Sequence, residues 1–307
     1  MHMPAFFTAI LALALGLSLN AFAAEPETSK PVAKAPELFR IGDVKVWAIA
    51  DNTNDRDMSV FLAEPEVVNQ YAPTGKSPSG VLCFLLETPT GIVILDSGNG
   101  NPPEKAPASL LMDSLKQLNV APEAVAAVIL THMHADHIGG MAWEGKAAFP
   151  NAVVKIGRIE HDFWTSEKSL EQFPDRKRNF DHVKDILALY DGKLEIFDFG
   201  VEVIPGLTAL DSRGHTPGHT AFLLESNGEK LLCIGDLLHS AALQFARPDI
   251  NARYDMAPDM AKSARREFLA KAAWNNLPIA GMHLPFPGIG SVATDGPEGF
   301  VYTPGLK

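Results

Sequence analysis

Residues 125–140, V-A-A-V-I-L-T-H-M-H-A-D-H-I-G-G, decide how this chain is read. An apolar run of strand type ends at Leu130 and gives way at once to His132, His134, Asp136 and His137. Three imidazoles and a carboxylate in six residues concentrate the nitrogen and oxygen donors that bind borderline cations such as zinc. The segments that can complete such a centre also sit at the ends of apolar runs. L-L-C-I-G-D ends at Asp236, I-A-G-M-H ends at His283, and R-G-H-T-P-G-H places His215 and His219 in a loop punctuated by glycine and proline. Strands of one sheet bring their ends together, so segments separated by about 150 residues can meet at one spot. Five histidines and two aspartates make seven donors, whereas a catalytic zinc takes three protein ligands and keeps one position open. Seven donors suit two ions that share a bridge. His2, His161 and His182 stand outside these segments and read as surface or core residues.

With 307 residues, 46% hydrophobic and 21% charged, the composition is globular and excludes a disordered chain. The net charge of −11 argues against nucleic acid or an anionic membrane surface as partner. A neutral or hydrophobic small molecule fits better, and a homodimer is allowed. Residues 6–20 are apolar and lead into Ala21-Phe22-Ala23, which meets the small-residue rule for a secretory cleavage site. The block lacks a Lys or Arg before it and is short for a bilayer span. The expectation is a signal peptide over 1–23, a flexible leader over 24–37 and one folded domain over 38–307, with the mature protein periplasmic or secreted and not inserted in the membrane. Cys83 and Cys233 lie in apolar strand-like runs and are expected as buried free thiols.

Strands are predicted at 44–50, 81–87, 92–95, 125–130, 153–157, 194–197, 221–225, 230–234 and 278–282. Helices are predicted at 108–118, across 159–191 and at 259–273. Strand-rich and helix-bearing portions recur in both halves, the pattern of two sheets packed face to face with helices outside. No G-x-S-x-G elbow occurs and neither cysteine falls in a motif loop, so acyl-enzyme chemistry has no candidate. Phe163, Trp164, Phe173 and Phe180 lie in the helical insertion, and Phe245 and Phe286 lie close in sequence to Asp236 and His283. These aromatics either line a pocket for a hydrophobic acyl or aryl group or fasten the insertion to the core.

T-H-M-H-A-D-H-I-G-G, G-H-T-P-G-H, G-D-L and A-G-M-H, in that order, resemble the H-x-H-x-D-H signature set of the metallo-β-lactamase superfamily. I-V-I-L-D-S-G-N-G resembles its strand-plus-D-[ST]-G element. A-F-P-N-A-V-V-K, H-D-F-W, P-G-L-T-A-L and H-L-P-F-P-G-I-G are similar to the methyl parathion hydrolase-like branch. The resemblance implies an α/β fold, a four-layer αββα sandwich. It also implies that His132, His134 and His215 hold one divalent ion, that Asp136, His137 and His283 hold a second, and that Asp236 bridges them. Zinc leads the candidates, although manganese, cobalt and iron accept the same donors. Asp96 is then expected to orient a ligating imidazole, and His219 to be structural or supporting.

Two such ions can share a hydroxide formed near neutral pH and polarise the substrate oxygen, so hydrolysis is the expected reaction. Asp136 and His239 are the proton-handling candidates, and Phe163, Trp164, Phe180, His239 and Phe286 the candidate pocket. Organophosphate-hydrolysing members carry bulky apolar groups after the D-T-G element and after the bridging aspartate. This chain has Asn99-Gly100-Asn101-Pro102-Pro103 and His239 there, a more polar mouth. Lactone or carboxyl-ester hydrolysis is therefore the leading reading, with phosphotriester hydrolysis next. Asp236 departs from the residue usual in periplasmic β-lactamases, and His134 from the carboxylate of the redox di-iron branch.

Overall fold

A computed structural model describes residues 34–100, 109–297 and 299–306. The expected signal peptide and most of the leader, the start of the helix predicted from 108 and part of the Asn99–Pro103 loop lie outside the described residues.

Sixteen strands are described. The first sheet, in spatial order, contains β1 (Glu37–Ile41), β2 (Val44–Asp57), β3 (Lys76–Thr88), β4 (Gly91–Leu95), β5 (Val125–Ile129), β8 (Val153–Gly157) and β9 (Leu194–Phe197). The second contains β10 (Glu202–Ile204), β11 (Leu207–Asp211), β12 (Thr220–Ser226), β13 (Glu229–Gly235), β14 (Ile279–Gly281), β15 (Ile289–Asp295) and β16 (Gly299–Pro304). A short ribbon joins β6 (Ala142–Trp143) to β7 (Lys146–Ala147). The helices are α1 (Pro65–Tyr71), α2 (Leu111–Gln117), α3 (Ala135–Ile138), α4 (Arg158–Trp164), α5 (Glu167–Gln172), α6 (Lys177–Ala188), α7 (Ala241–Gln244) and α8 (Pro258–Trp274). None is long and apolar enough to cross a membrane.

Strand β3 shows why the layers form. Leu82, Phe84 and Leu86 point into the core between the sheets, where they meet Phe222, Leu231 and Cys233 of the second sheet. Cys83 and Leu85 point the other way, under α2, α4 and α6, with Leu115, Trp164 and Phe180. A strand buried on both faces reads as a continuous apolar run. The second sheet repeats the arrangement, burying Leu232, Ile234 and Ile279 against Phe268 and Leu269 of α8. The four-layer αββα sandwich is thus built from three apolar interfaces, and both cysteines are buried and free.

Several predicted elements change length or number. β2 continues to Asp57 through the polar stretch N-T-N-D-R-D, because β3 supplies partners out to Lys76. The region 159–191 is not one helix: Ser166 caps α5 by accepting from Ser169 N, and Pro174 opens a tight turn over Pro174–Arg176 before α6. Strands β1, β6, β7, β10, β11, β15 and β16 are not among the predicted ones; β16 buries none of its residues fully and lacks a continuous apolar run.

Strands β4 and β5 run parallel, as do β13 and β14. Their carboxyl ends deliver Asp96, the His132–His137 segment, Asp236 and His283, consistent with the tendency of α/β sheets to bind ligands beyond strand carboxyl ends.

Candidate metal centre

The H-x-H-x-D-H segment leaves β5 and enters α3, where Gly139 and Gly140 press against the loop after β4. A Cβ on Gly140 would stand 1.8 Å from Ser97 O, and one on Gly139 would stand 2.2 Å from Asn99 O. These glycines permit close backbone approach, not a left-handed turn, since Gly139 keeps a helical φ of −58°. Gly235, immediately before Asp236, has a φ of +53°, and a Cβ there would meet His219 Nε2 at 2.5 Å.

The donors converge as two groups around one carboxylate. His134 Nδ1 lies 3.0 Å from His132 Nε2 and 3.0 Å from His215 Nε2. His137 Nε2 is 3.8 Å from Asp136 Oδ1, and His283 Nε2 is 3.4 Å from Asp136 Oδ2. Asp236 stands between the groups. Its Oδ2 is 3.7 Å from His132 Nε2, 3.4 Å from His215 Nε2 and 3.0 Å from His283 Nε2, while its Oδ1 is 3.2 Å from His137 Nε2. All seven sequence-predicted donors therefore meet, and each triad is close enough to hold an ion.

The chemistry of the donors fits cations. Buried His137 Nε2 and Asp236 Oδ1 stand 3.2 Å apart without a hydrogen bond of good geometry, an arrangement that a cation beside both would complete. Burial, reinforced by neighbouring imidazoles, holds His132 and His134 well below the usual histidine range, leaving neutral rings with lone pairs to donate. Burial opposes charge on Asp236, but His137, His283 and His132 outweigh it and hold the carboxyl well below its ordinary range. Burial likewise pulls His137 down, yet Asp236, Asp96 and Asp136 outweigh it and raise the ring well above its usual value. A proton there occupies the place a cation would take, so metal binding releases it.

The far sides of His137, His283 and His215 are fixed, whereas His134 Nε2 has no hydrogen-bond partner. His137 Nδ1 lies 2.7 Å from Asp96 Oδ2, and Asp96 also accepts from Thr131 N at 2.8 Å and Thr131 Oγ1 at 2.7 Å. Asp96 does this with a φ of +53°, unusual for a residue bearing a side chain. His283 Nδ1 is 2.7 Å from Gly80 O. His215 Nδ1 is 3.0 Å from Asp255 Oδ1, and Asp255 Oδ2 accepts from Arg265 Nη2 at 3.1 Å. His219 supports the centre without joining either group. Its Nε2 accepts from Asp236 N at 2.9 Å and its Nδ1 is 3.1 Å from Ser212 O, while burial and His215 bring its pKa down to about 3.

Sequence reasoning missed Asp255 and Glu160. Glu160 is buried and accepts four donors: Met133 N at 2.9 Å and Trp164 Nε1 at 2.7 Å on Oε1, Thr216 Oγ1 at 2.7 Å and Gly218 N at 2.9 Å on Oε2. It ties the His132–His134 segment to the His215–His219 loop. Burial raises its pKa even though these four bonds favour the carboxylate. Nothing in R-I-E-H-D-F-W marks this role, since one glutamate at a helix start has no local signature.

The donors open onto a cleft of about 240 Å³. His239 forms part of its wall, with Nε2 3.1 Å from Asp236 Oδ2 and the ring stacked on His283 at 5.1 Å between centroids. Burial lowers its pKa to about 3, well below the ordinary range of a proton-handling histidine. Arg56, Arg176, Asn179 and Tyr254 also line the cleft, and no motif in the sequence marks them. Phe163, Trp164, Phe180 and Phe286 are not in its wall. Phe163, Trp164 and Phe180 pack edge-on or tilted against one another at 4.9–5.5 Å between centroids in the core under the first sheet, because α4 and α6 turn their apolar faces inward. Trp164 alone approaches the donors, edge-on at 5.8 Å from His134. Phe286 packs against the core between the sheets. Asn99 does not line the cleft; it donates from its backbone and side chain to Asp51. A larger hollow of about 870 Å³ beside α2 is lined by Met112, Trp143 and Pro150, and none of the converging donors borders it.

Residues 77–283 match the model of the Metallo-beta-lactamase superfamily. The chain belongs to that superfamily. Its structure is similar to the crystal structure of hydrolase AbOPH in beta lactamase superfamily, 30% identical with a TM-score of 0.83, covering 91% of this chain and 99% of that one. It is also similar to AidC, a dizinc quorum-quenching lactonase in complex with a product, 26% identical with a TM-score of 0.81, covering 89% and 98%. An N-acyl homoserine lactonase from Bacillus sp is 29% identical over 174 residues, which cover 50% of this chain and 62% of that protein. The chain thus spans less than two thirds of the curated lactonase it matches. The fold and donor set are those of a metal-dependent hydrolase of this superfamily, with donor groups suited to two metal ions.

Proposed function

We propose that the protein hydrolyses lactones with two divalent ions, zinc first among the candidates. His132, His134 and His215 would hold one ion, Asp136, His137 and His283 the other, and Asp236 both. The observation that carries the reading is the Asp236 carboxylate set between two donor groups at the floor of a cleft, in a chain similar to proteins named as lactonases. Bound ions of this kind supply Lewis acidity and a nucleophilic oxygen near neutral pH.

The chain's own residues do the rest. Asp96, Asp255 and Gly80 O hold the imidazoles in one orientation, so the donors are in place before substrate arrives. The wall of the cleft, which holds about 240 Å³, is polar and is formed by Arg56, Arg176, Asn179, His239 and Tyr254 beside the donors. His239 is placed to move a proton. Its Nε2 lies 3.1 Å from Asp236 Oδ2, which places the ring to pass a proton towards a departing alkoxide, while burial, which lowers its pKa to about 3, keeps the ring neutral until the reaction demands that proton.

The test is a hydrolysis panel on metal-loaded protein with an N-acyl homoserine lactone, an aryl ester, a phosphotriester and a cephalosporin. The lactone is expected to lead in kcat/KM by about tenfold or more, some 1.4 kcal/mol in barrier. A phosphotriester or cephalosporin turned over faster than the lactone overturns the proposal.

A further inference from the structure

The rim of the cleft carries two guanidinium groups that no carboxylate among the described residues pairs with. Several arginines elsewhere in the chain, whose net charge is −11, pair with acids: Arg158 with Asp198, Arg213 with Asp211, Arg265 with Asp255. Arg56 instead donates to Tyr254 Oη at 2.7 Å and to Ser79 Oγ at 3.4 Å, both neutral. It reaches the cleft from the far end of β2, past the register shift between Ala50 and Asn52. Arg176 ends the tight turn after Pro174, and among the described residues its guanidinium has neither a hydrogen bond nor an ion pair. Asn179, less than one helical turn further on, adds an uncharged amide to the same wall.

Charge makes this arrangement selective. Asp136 and Asp236 bring two negative charges to the floor, and two divalent ions would more than cancel them, so both arginines would face an already cationic site. A neutral substrate gains nothing from that field, whereas an anionic one is drawn into it. A guanidinium presents parallel N–H donors that match the two oxygens of a carboxylate.

We propose that Arg56 and Arg176, with Asn179, bind a carboxylate carried by the substrate away from its scissile carbonyl. The preferred substrate is then a lactone with an acidic substituent, in place of the neutral or hydrophobic compound that the net charge alone indicates. This inference rests on the lactone reading above.

Two lactones test it: α-amino-γ-butyrolactone acylated with succinate, and the same compound as its methyl ester, which differ by one free carboxylate. The wild-type protein is expected to favour the acid by about tenfold or more in kcat/KM, through KM, with the preference shrinking as salt is raised. Arg176→Gln is expected to lower the acid-to-ester ratio about tenfold, and Arg176→Lys to restore part of it. A wild-type ratio near one, or a ratio that neither variant moves, overturns the proposal. Failure of the lactone reading looks different, because neither compound is then turned over. In that case calorimetric binding of glutarate to the metal-loaded protein decides: about tenfold weaker binding in Arg176→Gln supports the carboxylate site, and unchanged binding overturns it.

Discussion

The floor and the rim of one cleft were specified in different ways. On the floor, His132, His134, Asp136 and His137 stand within six residues of each other, directly after an apolar strand, and the donors that complete them also follow apolar runs. On the rim, Arg56 comes from a polar strand extension, Arg176 from a tight turn and Tyr254 from the loop before α8. Metal ligation demands particular atoms at short range, so it writes a dense local motif. A rim is shaped by whichever side chains tertiary packing leaves facing the cleft, and any one of them is an ordinary residue in sequence. The floor therefore reports the reaction class, while the rim must be seen before substrate can be argued.

Removing His239, where floor and rim meet, should have the largest effect on turnover among these wall residues. His239→Leu is expected to lower lactone kcat/KM about ten- to a hundredfold, the usual reach of one acid–base group, and to spare nitrophenyl esters whose phenolate leaves unaided. Parallel losses on both substrates would show that the ring only shapes the wall.

A smaller effect is expected beneath the floor. Glu160→Gln keeps the shape but sets an NH2 group against donors that two carboxylate oxygens now accept. The expected cost is about 1–3 kcal/mol in unfolding, with metal affinity reduced about tenfold, since residues that support ligands commonly carry that much. Chelator competition measures the affinity; an unchanged value would mean that the two ligand loops hold their places without Glu160.

Smallest in turnover should be Phe180→Ala, behind the rim. The ring packs with Phe163 and Trp164 in the core, so the variant is expected to lose about 3–5 kcal/mol of stability while folded protein keeps its kcat/KM. A changed KM in the folded protein would return this aromatic cluster to the substrate site.

Legibility in the sequence follows the same division. β8 and β9 were located to the residue because their short apolar runs are bounded by polar turns. β16 and the extension of β2 were not, since both are stabilised by pairing with a neighbour and expose much of their surface. Asp96 was legible through its place in D-S-G, whereas Asp255 and Glu160 do comparable positioning work without any motif. The aromatics of α4 and α6 carry a signal that pocket and core share, and only packing separates the two.

The central claim is that Asp236 joins two metal ions into one centre. Elemental analysis of the metal-saturated protein, with Asp236→Ala beside it, tests that most directly. The account predicts two ions per chain in the wild type, and loss of at least one ion with most of the activity in the variant. One ion per chain at saturation with full activity, or a variant that keeps both ions and its turnover, would contradict it.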